Sequence, residues 1–250
     1  MTVSKKVLAC DLGASSGRAI LGSFDGNTLE LEVLHKFTNG GTYLNNDFHC
    51  DTLKQFNEIK KKKKKAVKKT SNGLDSVGID TWGVDYGLLD KNGTLMSVPF
   101  HYRDARTEGI MDEAFTKLSR EEIYQETGIQ FMELNTIFQL FAELKNRPWI
   151  LNNAVDLLFT PDLLAYFLTG KKYNEYTMAS TSQLFNPNTD NWSEKIYNNF
   201  EFPQSIMQEI IHPAEKVGDI LEKVKKECGI EGELPVIAVG SHDTASAVAA

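Results

Sequence analysis

The chain has 250 residues, 41% of them apolar and 24% charged, enough for one large domain or a domain with an inserted subdomain. Lysine and arginine number 27 against 34 aspartates and glutamates, a formal net charge of -7, so polyanions gain little here and nucleic acid is not an expected partner. Three widely spaced cysteines, Cys10, Cys50 and Cys228, form no C-x-x-C pair, which argues against a zinc site or disulfide framework and for reduced thiols in the cytoplasm.

The predicted elements begin with strands. Val7 to Cys10 is a short apolar run bounded by a glycine turn. Arg18 to Phe24 follows as a second strand, Asp25-Gly26-Asn27 as a hairpin turn, and Leu29 to Lys36 as a third strand. Asp51 and Thr52 cap a predicted helix running to about Lys69, with Phe56, Ile59 and Val67 on its apolar face. Lys60 to Lys65 is an unbroken lysine run, and it puts Lys63 where the inner face should continue. A lysine run usually marks a solvated face. The composition offers no functional account of it.

Ser76 to Asp80 and Gly83 to Asp90 read as strands. A turn at Asp90-Lys91-Asn92-Gly93 leads into a further strand, Thr94 to Val98. From about Arg106 to Gly170 the pattern is helical, with a capping box at Ser119 to Glu122. A helix opens at Thr160-Pro161-Asp162, buries Leu163, Leu164, Phe167 and Leu168, and stops at Gly170. The last strand is Pro235 to Val239, and a helix starts at Thr244. The chain stops inside that helix, which reads as a truncated protein. No run of 18 apolar residues exists, so no membrane span is expected, and the N-terminal residues lack a signal-peptide pattern.

Four segments carry candidate chemistry. In Asp11-Leu12-Gly13-Ala14-Ser15-Ser16-Gly17-Arg18 a strand ends in an aspartate, and two glycines flank small hydroxyl residues. Glycine permits close approach and positive φ, small residues leave backbone N–H groups free for phosphate, and an aspartate beside them suits magnesium. A hairpin turn explains the same residues, which match neither a Walker A loop nor a dinucleotide fingerprint. Asp80-Thr81-Trp82-Gly83-Val84-Asp85 combines carboxylates with an aromatic, as a sugar site requires; a bulged strand with a core tryptophan is the alternative. Ser241-His242-Asp243-Thr244 places an aspartate where a strand gives way to a helix, either a plain N-cap or a base for a hydroxyl proton. His101 to Thr107 holds Arg103 and Arg106, able to grip an anion or to pair with Asp104. His35, His49 and His212 lack metal spacing and read as structural.

Together these segments resemble the FGGY carbohydrate kinases. The matching stretches are D-L-G-A-S-S-G-R at 11–18, I-D-T-W-G-V-D at 79–85, Y-R-D-A-R-T at 102–107 and S-H-D-T-A-S-A at 241–247, in family order. Tyr176 to Thr181 and His212 to Gly218 add to the resemblance, which covers nearly the whole chain. It implies an α/β, ribonuclease H-like lobe of the actin-like ATPase superfamily, a mixed sheet flanked by helices with a helical insertion. Residues 1–250 would form the N-terminal, sugar-binding lobe, with the C-terminal nucleotide lobe absent. The resemblance also implies ATP and Mg2+ as cofactors. Within the family the likeness is greatest to the branch acting on L-rhamnulose; a branch acting on a ketose such as L-fuculose, or a non-catalytic actin-like domain, are the alternatives. By resemblance Asp243 is the catalytic base. Trp82, Gly83, Asp80, His242 and Thr244 belong to the sugar site, Ala14, Ser15, Ser16, Gly17 and Arg18 to the phosphate loop, and Asp11 to magnesium. The lysine run departs from the family pattern. With only one lobe, little or no turnover is expected of this chain alone.

Overall fold

The computed structural model describes residues 5–70 and 73–250, and only the backbone of 62–69. Six strands form the central sheet: β1 (Lys5–Leu12), β2 (Ser16–Phe24), β3 (Leu29–Thr38), β4 (Ser76–Thr81), β5 (Lys216–Asp219) and β6 (Pro235–Ile237). Their order is β5-β6-β4-β1-β2-β3. β1, β4 and β6 run parallel, and β2, β3 and β5 pair antiparallel. A meander continued by parallel strands is the mixed sheet that the resemblance implies.

Period-two patterning builds the sheet. In β1, Leu8, Cys10 and Leu12 are almost fully buried and alternate with more open positions. They face helices α1 (Thr52–Lys69) and α3 (Thr160–Thr169), where Ile59, Leu164 and Leu168 complete one core. A second core fills the helical region, where Ile137, Phe138 and Phe141 of α2 (Thr136–Asn146) meet Phe159, Tyr197 and Phe200. Lys60 and Lys61 keep their ammonium groups on Glu227 and Glu58, at 2.9 Å each, and Lys60 also lies over the Phe56 ring. The inner-face readings of Lys63 and Val67 fall outside the described side chains.

Several expectations need correction. The helical stretch from Arg106 to Gly170 is interrupted by a strand, Asp156–Phe159, which pairs antiparallel with Tyr86–Leu89. Thr94 to Val98 forms no strand, only a single bridge from Leu95 to Leu89. Arg106 does not pair with Asp104: its guanidinium reaches Glu143 and Gln139, while Asp104 caps the turn at Ala105–Thr107 and accepts from the Phe48 N–H. The Ser119 capping box and the αL Gly170 ending α3 agree with the sequence reading. Among the described residues no helix is long and apolar enough to cross a membrane.

Candidate active site

Parallel strands bring their C-terminal ends to one edge of the sheet, and the candidate residues lie along that edge. Asp11 stands in register with Asp80 on β4 and with Arg18 on β2, so the three side chains form a row on one face. Arg18 donates to Asp11 at 2.7 Å. One strand further, Thr81 bridges His242, and the Thr81 N–H donates to the Ser241 carbonyl at 2.9 Å. That pairing sets Asp243 in the first turn of helix α4 (Asp243–Ala249). The Thr244 hydroxyl is 3.2 Å from the Asp243 carboxylate.

Three carboxylates thus converge. Burial first, then the charges of Asp11 and Asp243, push the Asp80 carboxyl from 3.8 up to about 7. The folded chain therefore holds a proton there across the window between those values, where the unfolded chain does not, and stability falls as pH rises through it. Without divalent metal, this carboxyl should make the melting temperature fall between about pH 4 and 7, and Asp80→Asn should flatten that slope. An unchanged slope in thermal melts of the variant would refute this.

The phosphate-loop candidates are held from behind. Asn39, buried, donates from its side-chain amide to the Gly13 carbonyl at 2.7 Å, and its backbone N–H donates to the Ser15 carbonyl at 3.1 Å. Gln55 of α1 donates to the Asn39 side chain in turn. With those carbonyls engaged on the Asn39 side, Ala14 and Ser15 lie in a short turn between two strands. Neither Gly13 nor Gly17 has the positive φ proposed from sequence. Gly17 is needed for another reason: a Cβ there would lie 2.2 Å from the Phe37 ring.

Beside His242 opens a cavity of about 240 Å3, far more than the roughly 30 Å3 of one water. Trp82, Gly83, Val84 and His242 form its sheet side, and Ile129, Met132 and Leu134 its loop side. Asp80, Asp243 and Thr244 are not on its wall, and Asp243 adjoins it only through His242. A Cβ on Gly83 would come within 3.3 Å of the His242 ring and the Thr181 hydroxyl, so glycine keeps this corner open. Burial pulls the His242 imidazole below its usual range, with Asp243 opposing the shift. Arg103 is exposed over the Tyr102 ring beside the cavity, whereas Arg106 lies under the Phe100 ring in a buried ion pair. Among His35, His49 and His212, the first and last lie near Glu58 and Asp190, and His49 Nδ1 is 3.0 Å from the Val98 carbonyl.

Sequence reasoning missed Glu175. This buried carboxylate accepts from the N–H groups of Thr177, Met178 and Ser241. The Thr177 hydroxyl in turn accepts from the His242 N–H at 3.1 Å. Glu175 therefore fixes the segment leading into Asp243. Burial pushes both Glu175 and its neighbour Asp162 up. The one available signal was an acid directly before the Tyr176 to Thr181 segment.

For magnesium, the donor set is all oxygen, and Asp80 is partly buried and repelled by Asp11 and Asp243, which fits a hard cation. Among the described residues no three acidic, histidine or cysteine groups are close enough to hold a metal together. Magnesium retains waters and uses one or two carboxylates plus phosphate oxygens, so a site at Asp11 and Asp80 would need no third side chain, though Asp11 already pairs with Arg18 at 2.7 Å.

Residues 6–249 match the N-terminal domain of the FGGY family of carbohydrate kinases. The chain is 41% identical over 248 residues to a rhamnulokinase of Bacteroides thetaiotaomicron, covering 99% of this chain and 51% of that protein. It is 41% identical over 245 residues to a rhamnulokinase of Oceanobacillus iheyensis, at 97% and 51% coverage. The chain thus spans about half the length of the curated relatives it matches. In fold it resembles a carbohydrate kinase from Novosphingobium aromaticivorans, with a TM-score of 0.83 at 19% identity, covering 99% of this chain and 50% of that one. A Plasmodium falciparum glycerol kinase with ADP superimposes with a TM-score of 0.78 at 20% identity, covering 94% and 48%.

Proposed function

We propose, for a chain that belongs to the FGGY family of carbohydrate kinases, that the whole protein transfers the γ-phosphoryl group of ATP to O1 of L-rhamnulose, with residues 1–250 as its sugar-binding lobe. The observation that carries this reading is that His242, which lines a cavity together with Trp82 and Gly83, is followed directly in the chain by Asp243 at the start of α4. A ketose in that cavity has an aromatic ring for its apolar face and His242 for its hydroxyls. The sugar O1 attacks the γ-phosphorus, its proton passes to the Asp243 carboxylate, and ADP leaves. Ala14 to Arg18 and the Asn39 brace behind them support a phosphate contact at the same edge. Asp11 and Asp80 would hold magnesium, which when bound neutralises charge on the phosphoryl oxygens. Cys10, Cys50 and Cys228 are buried and in no disulfide, which supports a cytoplasmic setting.

The choice of L-rhamnulose rests on the 41% identity to the rhamnulokinases. Purified full-length protein should release ADP fastest with L-rhamnulose in a panel that includes L-fuculose, D-xylulose and glycerol. Faster turnover of another sugar would replace the substrate, and turnover of none would end the kinase reading. The 250-residue chain alone should turn over little ATP, because it spans only half of its relatives.

A further inference from the structure

We infer that Asp85 is a positioning residue that fixes the aromatic wall of the sugar cavity, holding the Trp82 indole and the Tyr102 segment in one arrangement; this rests on the sugar-kinase reading of the cavity. Asp85 has no exposed surface and touches no cavity space itself. Its Oδ2 accepts from Trp82 Nε1–H at 2.7 Å, from the Tyr102 N–H at 3.0 Å and from the Cys50 thiol at 3.4 Å, while Oδ1 accepts from Gln139 at 3.2 Å. Trp82 and Tyr102 are both wall residues of the cavity. Between them lies His101, stacked on Trp82 at 5.7 Å and on Tyr102 at 4.6 Å between ring centroids. One carboxylate therefore ties down both ends of a three-ring row.

The backbone around Asp85 is built to the same end. Its N–H donates to the Gly83 carbonyl at 2.9 Å, closing a tight turn that forces Val84 to a φ of +68°. A β-branched residue resists that conformation, which persists only where its surroundings impose it. Thr136 and Gln139, at the start of α2, impose it by donating to the Val84 carbonyl at 2.8 and 3.3 Å. The turn brings the Asp85 carboxylate to the Trp82 indole N–H while leaving Gly83 at the cavity. A carboxylate suits the hub because it only accepts, with two oxygens for four donors; an amide would point two N–H groups at some of them. Burial pushes the carboxyl up to about 6, and the hydrogen bonds from Trp82, Gln139, Tyr102 and Cys50 oppose that rise.

The test uses full-length protein with Trp149, Trp192 and any tryptophan outside these 250 residues replaced by phenylalanine, so that Trp82 is the only tryptophan present. Asp85→Asn should raise the sugar KM by about tenfold, the loss of one hydrogen bond to a charged group, with the ATP KM unchanged. Trp82 emission should shift to longer wavelength and become more accessible to a neutral quencher. Trp82→Phe, measured with all other tryptophans present, keeps a ring but removes the N–H. It should raise the sugar KM in the same direction, and adding Asp85→Asn should cost little more. Unchanged Trp82 emission in Asp85→Asn overturns the inference, and so does an equal rise of both KM values. If the protein turns over no sugar, the kinase reading fails, and the emission of Trp82 alone still decides the role of Asp85. If Asp85→Asn does not fold, Trp82→Phe decides: an unaltered sugar KM overturns the inference and a raised one supports it.

Discussion

Replacing Asp243 with asparagine in the full-length protein is expected to lower kcat on the order of 10²–10⁴-fold, the usual contribution of a general base, while sugar affinity stays within a few-fold. Asparagine keeps the size and shape of the side chain but cannot take up the proton that O1 loses on attack. The surrounding segment does not depend on the Asp243 charge. Ser241 is anchored on Glu175 and His242 on Thr177 through backbone N–H groups, and Thr81 pairs with the Ser241 carbonyl. The cavity should therefore persist in the variant. Equilibrium binding of the sugar by calorimetry, beside steady-state kinetics, separates the two effects. A near-normal kcat would remove Asp243 from the role of base.

Removing Glu143 should give the largest loss of stability. Its carboxylate is 3% exposed and accepts from Arg106 at 2.9 Å and Arg147 at 2.7 Å. Both guanidinium groups lie over the Phe100 ring, at 4.0 and 4.5 Å from its centre. Glu143→Ala leaves two cations around that ring without their anion, which costs about 3–5 kcal/mol when the pair is buried. In a chain of this size that corresponds to roughly 6–20 °C in melting temperature. Arg147 is partly exposed, which favours the lower half of that range. Replacing all three together (Arg106→Met, Glu143→Leu, Arg147→Met) should recover much of the loss, since an apolar cluster carries no unpaired charge. A drop below about 2 °C in Glu143→Ala would show that the ion pairs are worth no more than surface ones. The damage should also reach the cavity, because Arg106 holds the Gln139 carbonyl whose amide secures Val84 and Asp85.

Where the sequence was legible, the signal was local. The meander of β1 to β3 follows from alternation and two turns, and α3 from its proline start and glycine stop. Asp11, Trp82 and Gly83, and His242 and Asp243, stand out because each lies at or just beyond the end of a strand. The strand Asp156–Phe159 was hidden because an aspartate followed by three apolar residues between helices has no period of its own. The supporting residues were hidden for a different reason. Asn39 acts on Gly13, Gln139 on Asp85, and Glu175 on Ser241, across sequence separations of 26, 54 and 66. Their importance comes from burial and from partners that only the fold brings near.

The cavity draws its two sides from different parts of the chain. Trp82, Gly83 and His242 sit on the sheet edge that carries Asp243, while Ile129, Met132 and Leu134 come from the connection between the helix Arg120–Thr127 and α2. Such a connection tolerates substitution far better than a sheet edge does. If the kinase reading holds, a few substitutions at Ile129, Met132 and Leu134 would change which sugar fits while leaving the strand edge that carries Asp243 as it is.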